Sequence, residues 1–412
     1  MKPQQPHTLP DGWEIKRLEE LATINPTRVA KLEELDEVTF LGMTDVSDEG
    51  KMVSPHVKTY RDVKSGFTRF SNNDVLVAKI NPCFENGKGA LVQNLRNGIG
   101  FGSTEFHVIR IDAQADDRFI FYHTVTHEFR QRGKQQMSGS AGQQRVPSEF
   151  LRGYKVALPP LPEQRQIAAV LGTWDRAIEQ TTDLLRTLRT RHRGLMHRLL
   201  TGQVRLPGYV GEWRHLELSD VFDRVNRRNS EGNTNVLTIS AQQGLVSQGR
   251  YFNKNIASEV VTNYFLLRRG EFAYNKSYSA GYPMGAIKRL DQYDKGILSP
   301  LYICFRLRDN SEHEAAFFTH YFEGGCLNQA ISEIAQEGAR NHGLLNVGVG
   351  DFFAVRLIIP PAVAEQRAIA DVLDASLREI RQHEAKLEAL REQKRGLMQC
   401  LLTGQVRVPV TA

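Results

Sequence analysis

Residues 163–201 read EQRQIAAVLGTWDRAIEQTTDLLRTLRTRHRGLMHRLLT, and residues 365–403 read EQRAIADVLDASLREIRQHEAKLEALREQKRGLMQCLLT. The second stretch lies 202 positions after the first and aligns with it without a gap. Both open on EQR after a proline-containing strand end (ALPPLP, IIPPAV), share RGLM, and close on LLTGQVR before Leu206-Pro207 or Val408-Pro409. In the first copy Ile167, Leu171, Trp174, Ile178, Thr181, Leu185, Leu188, His192, Leu195 and Leu199 recur alternately four and three apart, a heptad seam. In the second copy Ile369, Leu373, Ser376, Ile380, His383, Leu387, Leu390, Lys394, Leu397 and Leu401 hold the same positions. Charged residues fill the other faces, so each helix wants one partner helix rather than burial all round.

A helix of this length spans roughly 58 Å at 1.5 Å per residue, the reach of a spacer rather than of an ordinary packing element. Outward from the helices, the rest of the chain is also written twice. LPDGWEIKRLEELATI at 9–24 recurs in outline as YVGEWRHLELSDVFDR at 209–224, with Trp13 and Trp213, and Leu18 and Leu218, in matching places. The sequence therefore predicts a globular region over 1–158, a helical spacer over 159–207, a second globular region over 208–360 and a second spacer over 361–412. The fold class is mixed α/β: two globular domains separated by two long coiled-coil helices, a tandem pseudo-repeat.

In the first region VTFLGMTDV, NDVLVAKI, KGALVQNL, EFHVIRI and GYKVALP have the pattern of strands between Gly, Asn, Pro and Asp breakers, and DDRFIFYHTVTHEFRQRGKQQM has that of a helix. The second region follows the same plan with NVLTI, EFAYNKSYS, MGAIKRL, SPLYICFRL and AVRLIIP as strands and EHEAAFFTHYFEGGCLNQAISEI as a helix.

The 412 residues are 41% hydrophobic and 24% charged, the composition of a globular protein of two or three domains. No apolar run reaches membrane length and MKPQQPHTLPDGW lacks a signal-peptide core, so the expected compartment is the cytoplasm, with no membrane partner. Cys83, Cys304, Cys326 and Cys400 form no CxxC pair and the histidines no HExxH or HxH spacing, so no metal site is expected. A formal net charge of +6 is on the side expected of a nucleic-acid partner.

Polar chemistry suited to base edges and phosphates concentrates in the presumed loops. AKINPCFENGKGA offers Lys79, Asn81, Asn86 and Lys88, and a later loop adds Gln143, Gln144 and Arg145. AYNKSYSAGYPMGAIKR offers Tyr274, Asn275, Lys276, Tyr278, Lys288 and Arg289, and ARNHG offers Arg340, Asn341 and His342. Arg and Lys pair with guanine, Asn and Gln with adenine, and glycine lets a backbone approach phosphate. The alternative is that each is a solvated turn.

Catalytic motifs are scarce. NPCF at 81–84 resembles the adenine-methyltransferase tetrapeptide of Asn or Asp, Pro, Pro, aromatic, but Cys83 replaces the second proline and no Gly-rich methyl-donor loop follows a strand. ENGKGA lacks the upstream glycine of a phosphate-binding loop. No catalytic residue is assigned and no cofactor is expected in this chain.

Over essentially its whole length the chain resembles the specificity (S) subunits of type I restriction-modification enzymes. The resemblance rests on PPLPEQRQIAAVL and LMHRLLTGQVR at the helix ends, and on NDVLVAKINPCFENGKGA, GSTEFHVIR, EFAYNKSYSAGYPMGAIKRL and SPLYICFRL in the domains. It implies two target-recognition domains, each reading half of a bipartite double-stranded DNA target, and helices that pair antiparallel, set the spacer and dock two methyltransferase (M) subunits. Those in turn recruit restriction (R) motor and nuclease subunits, and the partners use S-adenosylmethionine, ATP and Mg. Asn73 stands where the family commonly has the glycine of a GD turn. Two readings of other classes stay open from the sequence: an N6-adenine methyltransferase using Asn81, and a coiled-coil assembly protein with no DNA role.

Overall fold

The computed structural model describes residues 9–409 apart from 28–31, 141, 241, 252–260, 310 and 336–344. The chain divides into two compact units, Met1–Thr182 with Ala385–Ala412, and Asp183–Glu384. The sequence places boundaries at the helix ends, whereas the compact units cut each long helix near its middle. Each unit thus holds one globular domain, the start of the helix that follows it, and the end of the other helix.

The long helices are Leu161–Leu200 and Val363–Leu402, 40 residues each. All twenty seam positions are buried or half-buried, from Ile167 and Leu171 to Leu397 and Leu401. In the first unit Ile167, Ala168 and Leu171 share a core with Met398, Leu401 and Leu402, and Lys394 Nζ donates to Asp175 Oδ1 at 2.6 Å. In the second, Leu195 and Leu199 share a core with Ile369 and Leu373, and Arg189 pairs with Glu384 and Arg191 with Glu379. Low residue numbers of one helix meet high numbers of the other in both units, so the pairing is antiparallel.

Around the helix halves both units build the same sheet. In the first its spatial order is Ala22–Ile24, Phe106–Ile111, Val75–Ala78, Gly89–Leu91; in the second it is Phe222–Arg224, Ile303–Leu307, Phe272–Asn275, Ala286–Arg289, all antiparallel. A flanking ladder also repeats, Glu14–Arg17 with Lys155–Leu158 and Arg214–Glu217 with Arg356–Ile359. Elsewhere the units diverge. The first adds a four-stranded sheet, His56–Thr59, Glu37–Leu41, Ile99–Gly102, Thr68–Ser71, and the second adds two two-stranded ladders.

The turn into the central strand shows how different residues reach one geometry. Asn73 sits at φ +68° and Gly270 at φ +87°, the left-handed region that Gly and, less readily, Asn adopt. The next residue closes the turn in each case: Asp74 accepts from Ser71 N at 2.7 Å, and Glu271 from Arg268 N at 2.8 Å. Each buried carboxylate is then neutralised by an arginine, Arg110 or Arg227.

Two helices expected as single elements are split. The first becomes Asp117–Thr124 and His127–Gln135, because Thr126 takes a cap position and accepts from Phe129 N at 3.2 Å. The second becomes Ala315–Glu323 and Asn328–Ile334, interrupted at Gly324 and Gly325, the latter at φ +70°.

Candidate nucleic-acid interface

The residues repeated in sequence at the helix ends assemble the frame on which the loops stand. Glu163 and Glu365, each 1% exposed, receive two-pronged contacts from Arg407 and Arg205, the arginines of the two GQVR tails. Trp13 Nε1 also donates to Glu163, at 3.3 Å. Beside them Gln164 Nε2 donates to Pro159 O while its Oε1 accepts from Asp116 N, the residue that caps the helix Asp117–Thr124. Gln366 does the same with Pro360 O and Glu314 N. A junction from the domain helix to the long helix follows: Tyr122 Oη donates to Asp175 at 2.6 Å in the first unit, and His320 Nε2 meets Asp374 at 2.9 Å in the second. Burial pushes the Tyr122 phenol well above its usual range, with the Asp175 charge adding to it, and burial pushes the His320 imidazole down.

On this frame the first unit brings two loops together. Lys79 follows the central strand, and its carbonyl accepts from Val146 N at 2.8 Å. Asn81 N donates to Gln144 O and Gln144 N to Asn81 Oδ1, both at 3.0 Å. Lys79, Asn81, Gln144 and Arg145, which the sequence proposes from separate segments, therefore form one ledge. Gln144 is exposed and the half-exposed Lys79 ammonium has no hydrogen-bond partner among the described residues. Arg145 is already bound two-pronged to Glu105, at 2.8 to 3.1 Å, which holds the Glu105 carboxyl below the usual range and raises the guanidinium's pKa. Lys88 points inward: its ammonium donates to Met43 O and Val46 O at 3.1 and 3.0 Å. That placement gives Lys88 a structural task in place of the phosphate contact its sequence context suggests.

In the second unit Lys276 repeats the part of Lys79, its carbonyl accepting from Leu345 N at 2.9 Å. The Lys276 ammonium reaches Val347 O at 3.4 Å, and Asn275 Oδ1 accepts from Ser277 N at 3.2 Å. Tyr278 stands 63% exposed. Lys288 turns inward, its side chain 10% exposed and bound by Glu323 and by Tyr282 Oη. Tyr274, grouped with the loop residues by sequence, is fully buried, stacked on Phe352 at 5.0 Å. The strand alternation before Asn275 sets that orientation. Arg289 pairs with Asp291. Arg340, Asn341 and His342 lie outside the described residues.

Sequence reading passed over Glu105, Arg130 and Glu323, the charged groups that grip the loops from beneath. Arg130 had a signal: it shares the stripe of Phe129 and Gly133, the buried face of its helix. Among the described residues no group of three or more His, Cys, Asp or Glu side chains is arranged to hold a metal ion. No helix of the described residues is long and apolar enough to cross a membrane.

Comparison with known proteins places this geometry. Residues 10–189 match the family model described as the type I restriction modification DNA specificity domain. Over 168 residues the chain is 40% identical to the type I restriction enzyme EcoAI specificity subunit of Escherichia coli, a stretch that is 40% of this chain and 28% of that subunit. A longer, weaker likeness, 25% over 398 residues and 88% of each chain, links it to the MjaVIII specificity subunit of Methanocaldococcus jannaschii. Its fold is that of the HsdS subunit from Thermoanaerobacter tengcongensis, with a TM-score of 0.50, 19% identity, and 97% of this chain and 99% of that one covered. The comparisons thus show likeness to type I restriction specificity subunits, in sequence over residues 10–189 and in fold over nearly the whole chain, while the chain spans less than a third of the length of the EcoAI subunit it matches.

Proposed function

We propose that this chain is the sequence-reading subunit of a type I restriction-modification complex, non-catalytic itself and acting in the cytoplasm. Each unit reads one half of a split double-stranded DNA target through its loop ledge: Lys79, Asn81, Gln144 and Arg145 in the first, Asn275, Lys276 and Tyr278, with Arg340 and Asn341, in the second. The paired helices set the gap between the half-sites and dock two M subunits. Those partners supply the S-adenosylmethionine chemistry and recruit R subunits with their ATP and Mg.

The observation that carries this reading is the repetition of one frame under two unlike loop sets. The same Glu, Gln and Arg positions assemble each unit, while the loops they support share no residue pattern. Two equivalent positions with different polar surfaces suit two different half-sequences. Methyl transfer by Asn81 is disfavoured by its surroundings, since its side-chain oxygen is held by Gln144 N and Phe84 of the same tetrapeptide is fully buried.

Mapping methylated adenines in a host that carries this chain with its M partner tests the proposal. A motif of two short halves around a fixed gap is expected; an unsplit motif overturns it. The purified chain alone is expected to transfer no methyl group, and methylation without a partner would count equally against it.

A further inference from the structure

The loop 81–88 is gripped from below by a buried cation that has no anion beside it among the described residues. Arg130, on the helix His127–Gln135, is 5% exposed. Its two terminal nitrogens donate to Phe84 O at 3.0 Å and Gly87 O at 3.2 Å, and its Nε has no partner. The guanidinium lies over the Phe84 and Phe129 rings, 4.8 and 5.6 Å from their centroids. Burial lowers its pKa to about 9, so it keeps its charge at neutral pH.

Placing an unpaired guanidinium in an apolar site is unfavourable, and a residue there only to fill space would be apolar. What the charge obtains in return is the loop's main chain: a planar fork reaches two carbonyls at once, which a lysine's point charge does not do in the same geometry. The surroundings leave little slack. A Cβ on Gly133 would come within 2.3 Å of Phe84, and one on Gly87, at φ +94°, within 2.7 Å of Asp48 O. Phe84 anchors the loop in the core while Asn81, at the start of the turn, meets Gln144 on the ledge.

We infer that Arg130 is a positioning residue for DNA reading: by holding Phe84 O and Gly87 O it sets the shape of the loop 81–88, and with it the discrimination at the half-site read by the first unit. This rests on the proposed DNA-reading function, and residue 130 itself touches no base.

The test compares Arg130→Met and Arg130→Lys with the parent, each as the full chain assembled with its M partners. Binding is measured on duplexes carrying one substitution in either half-site, the first unit's half being assigned by exchanging residues 1–155 for those of a relative. Arg130→Met is expected to lose at least tenfold of its discrimination at the first unit's half-site and none at the other, with Arg130→Lys in between. Equal losses at both half-sites, or none, overturn the inference. Amide hydrogen exchange of residues 81–88 in the chain without DNA reads the same point independently: it should quicken in Arg130→Met, and unchanged protection also overturns it. If the parent shows no half-site preference at all, the DNA-reading proposal fails and the exchange measurement alone decides the loop-holding role. Should Arg130→Met not fold, Arg130→Lys carries both measurements, and parent-like values in both reject the inference.

Discussion

In the first unit the loop after the central strand is held through its main chain by Arg130, which donates to Phe84 O and Gly87 O, and at its foot by its own Lys88, which donates to Met43 O and Val46 O; in the second the corresponding loop is held by a carboxylate, Glu323, that takes the side chains of Lys288 and Tyr282. Beneath this difference the frames coincide almost atom for atom: buried Glu with a tail arginine, buried Gln with a proline carbonyl and a helix cap. The main-chain grip of Arg130 leaves the first loop's side chains other than Lys88 free to change, whereas the second loop, braced through its own Lys288 and Tyr282, commits both residues to holding it. The contrast explains why the frame is legible as a repeat and the loops are not.

The largest effects should come from breaking the shared frame, and the two copies should not respond equally. Gln366 satisfies Pro360 O and Glu314 N and also meets His313 Nδ1 at 3.0 Å, whereas Gln164 satisfies Pro159 O and Asp116 N and has no third partner among the described residues. Leaving such groups unpaired costs 1–3 kcal/mol apiece, so Gln366→Leu is expected to lose about 3 kcal/mol and Gln164→Leu about 2 kcal/mol in urea unfolding of the full chain. Equal losses would show that the third partner contributes nothing.

A second contrast lies in the histidines of the domain helices. His320 has Asp374 beside it, while His123 is buried with its Nε2 unpartnered, and burial pushes its pKa down to about 4. Because the unfolded chain takes up that proton near the ordinary value of 6.5, the folded state is disfavoured as pH falls from about 7 toward 4. At about 1.4 kcal/mol per pH unit, His123 costs the fold roughly 2 kcal/mol at pH 5. His123→Phe should therefore narrow the gap in stability between pH 7 and pH 5, as read by denaturant unfolding at the two values. His320→Phe should do so less, since Asp374 offsets part of the burial cost of its charged form.

The long helices, their need for one partner helix each and much of the strand content were legible because burial imposes periods of seven and two on the sequence, while the antiparallel sense of the pairing came only from the family resemblance. The seam at Ile167, Leu171, Ile369 and Leu373 is one such imprint, whereas the shared left-handed turn at Asn73 and Gly270 emerged only from the backbone. What periodicity does not encode is the direction a polar side chain takes from a loop. Lys79 and Lys88 are indistinguishable in the string AKINPCFENGKGA, yet one faces outward and the other ties down two carbonyls. Tyr274 and Tyr278 differ likewise, because the last strand residues still alternate where the eye already reads a loop. The split of each domain helix was missed because Thr126 and Gly324-Gly325 interrupt patterns whose apolar spacing continues past them.

At the loops themselves, Asn81→Ala and Asn275→Ala sharpen the comparison. Each amide nitrogen has no partner among the described residues, so each is available to an adenine edge, and the loss of such a contact is worth about 1–3 kcal/mol of base discrimination. Asn275 Oδ1 holds only its own turn through Ser277 N, but Asn81 Oδ1 joins two loops through Gln144 N. Asn275→Ala should relax one half-site and leave stability unchanged, while Asn81→Ala should relax the other and also lower the unfolding midpoint. Methylation mapping together with urea titration separates the two outcomes, and relaxation of both half-sites by either variant would contradict separate reading.

The smallest expected effect divides Lys79 from Lys88. A lysine that neutralises one DNA phosphate contributes about 0.9 to the slope of log affinity against log salt, since binding releases the counterion held there. Lys79 has no hydrogen-bond partner for its ammonium among the described residues, so Lys79→Ala should make the slope shallower by about that amount and weaken binding to cognate and non-cognate duplexes alike. Lys88 already donates to Met43 O and Val46 O, so Lys88→Ala removes no counterion and should leave the slope where it was. It instead strands two carbonyls and frees the foot of the loop 81–88, which should reduce discrimination at the first unit's half-site while binding to unrelated duplexes stays level. The two alanines therefore move different quantities. If Lys88→Ala lowered the slope and Lys79→Ala did not, the inward and outward assignments of these side chains would be reversed in the DNA-bound state.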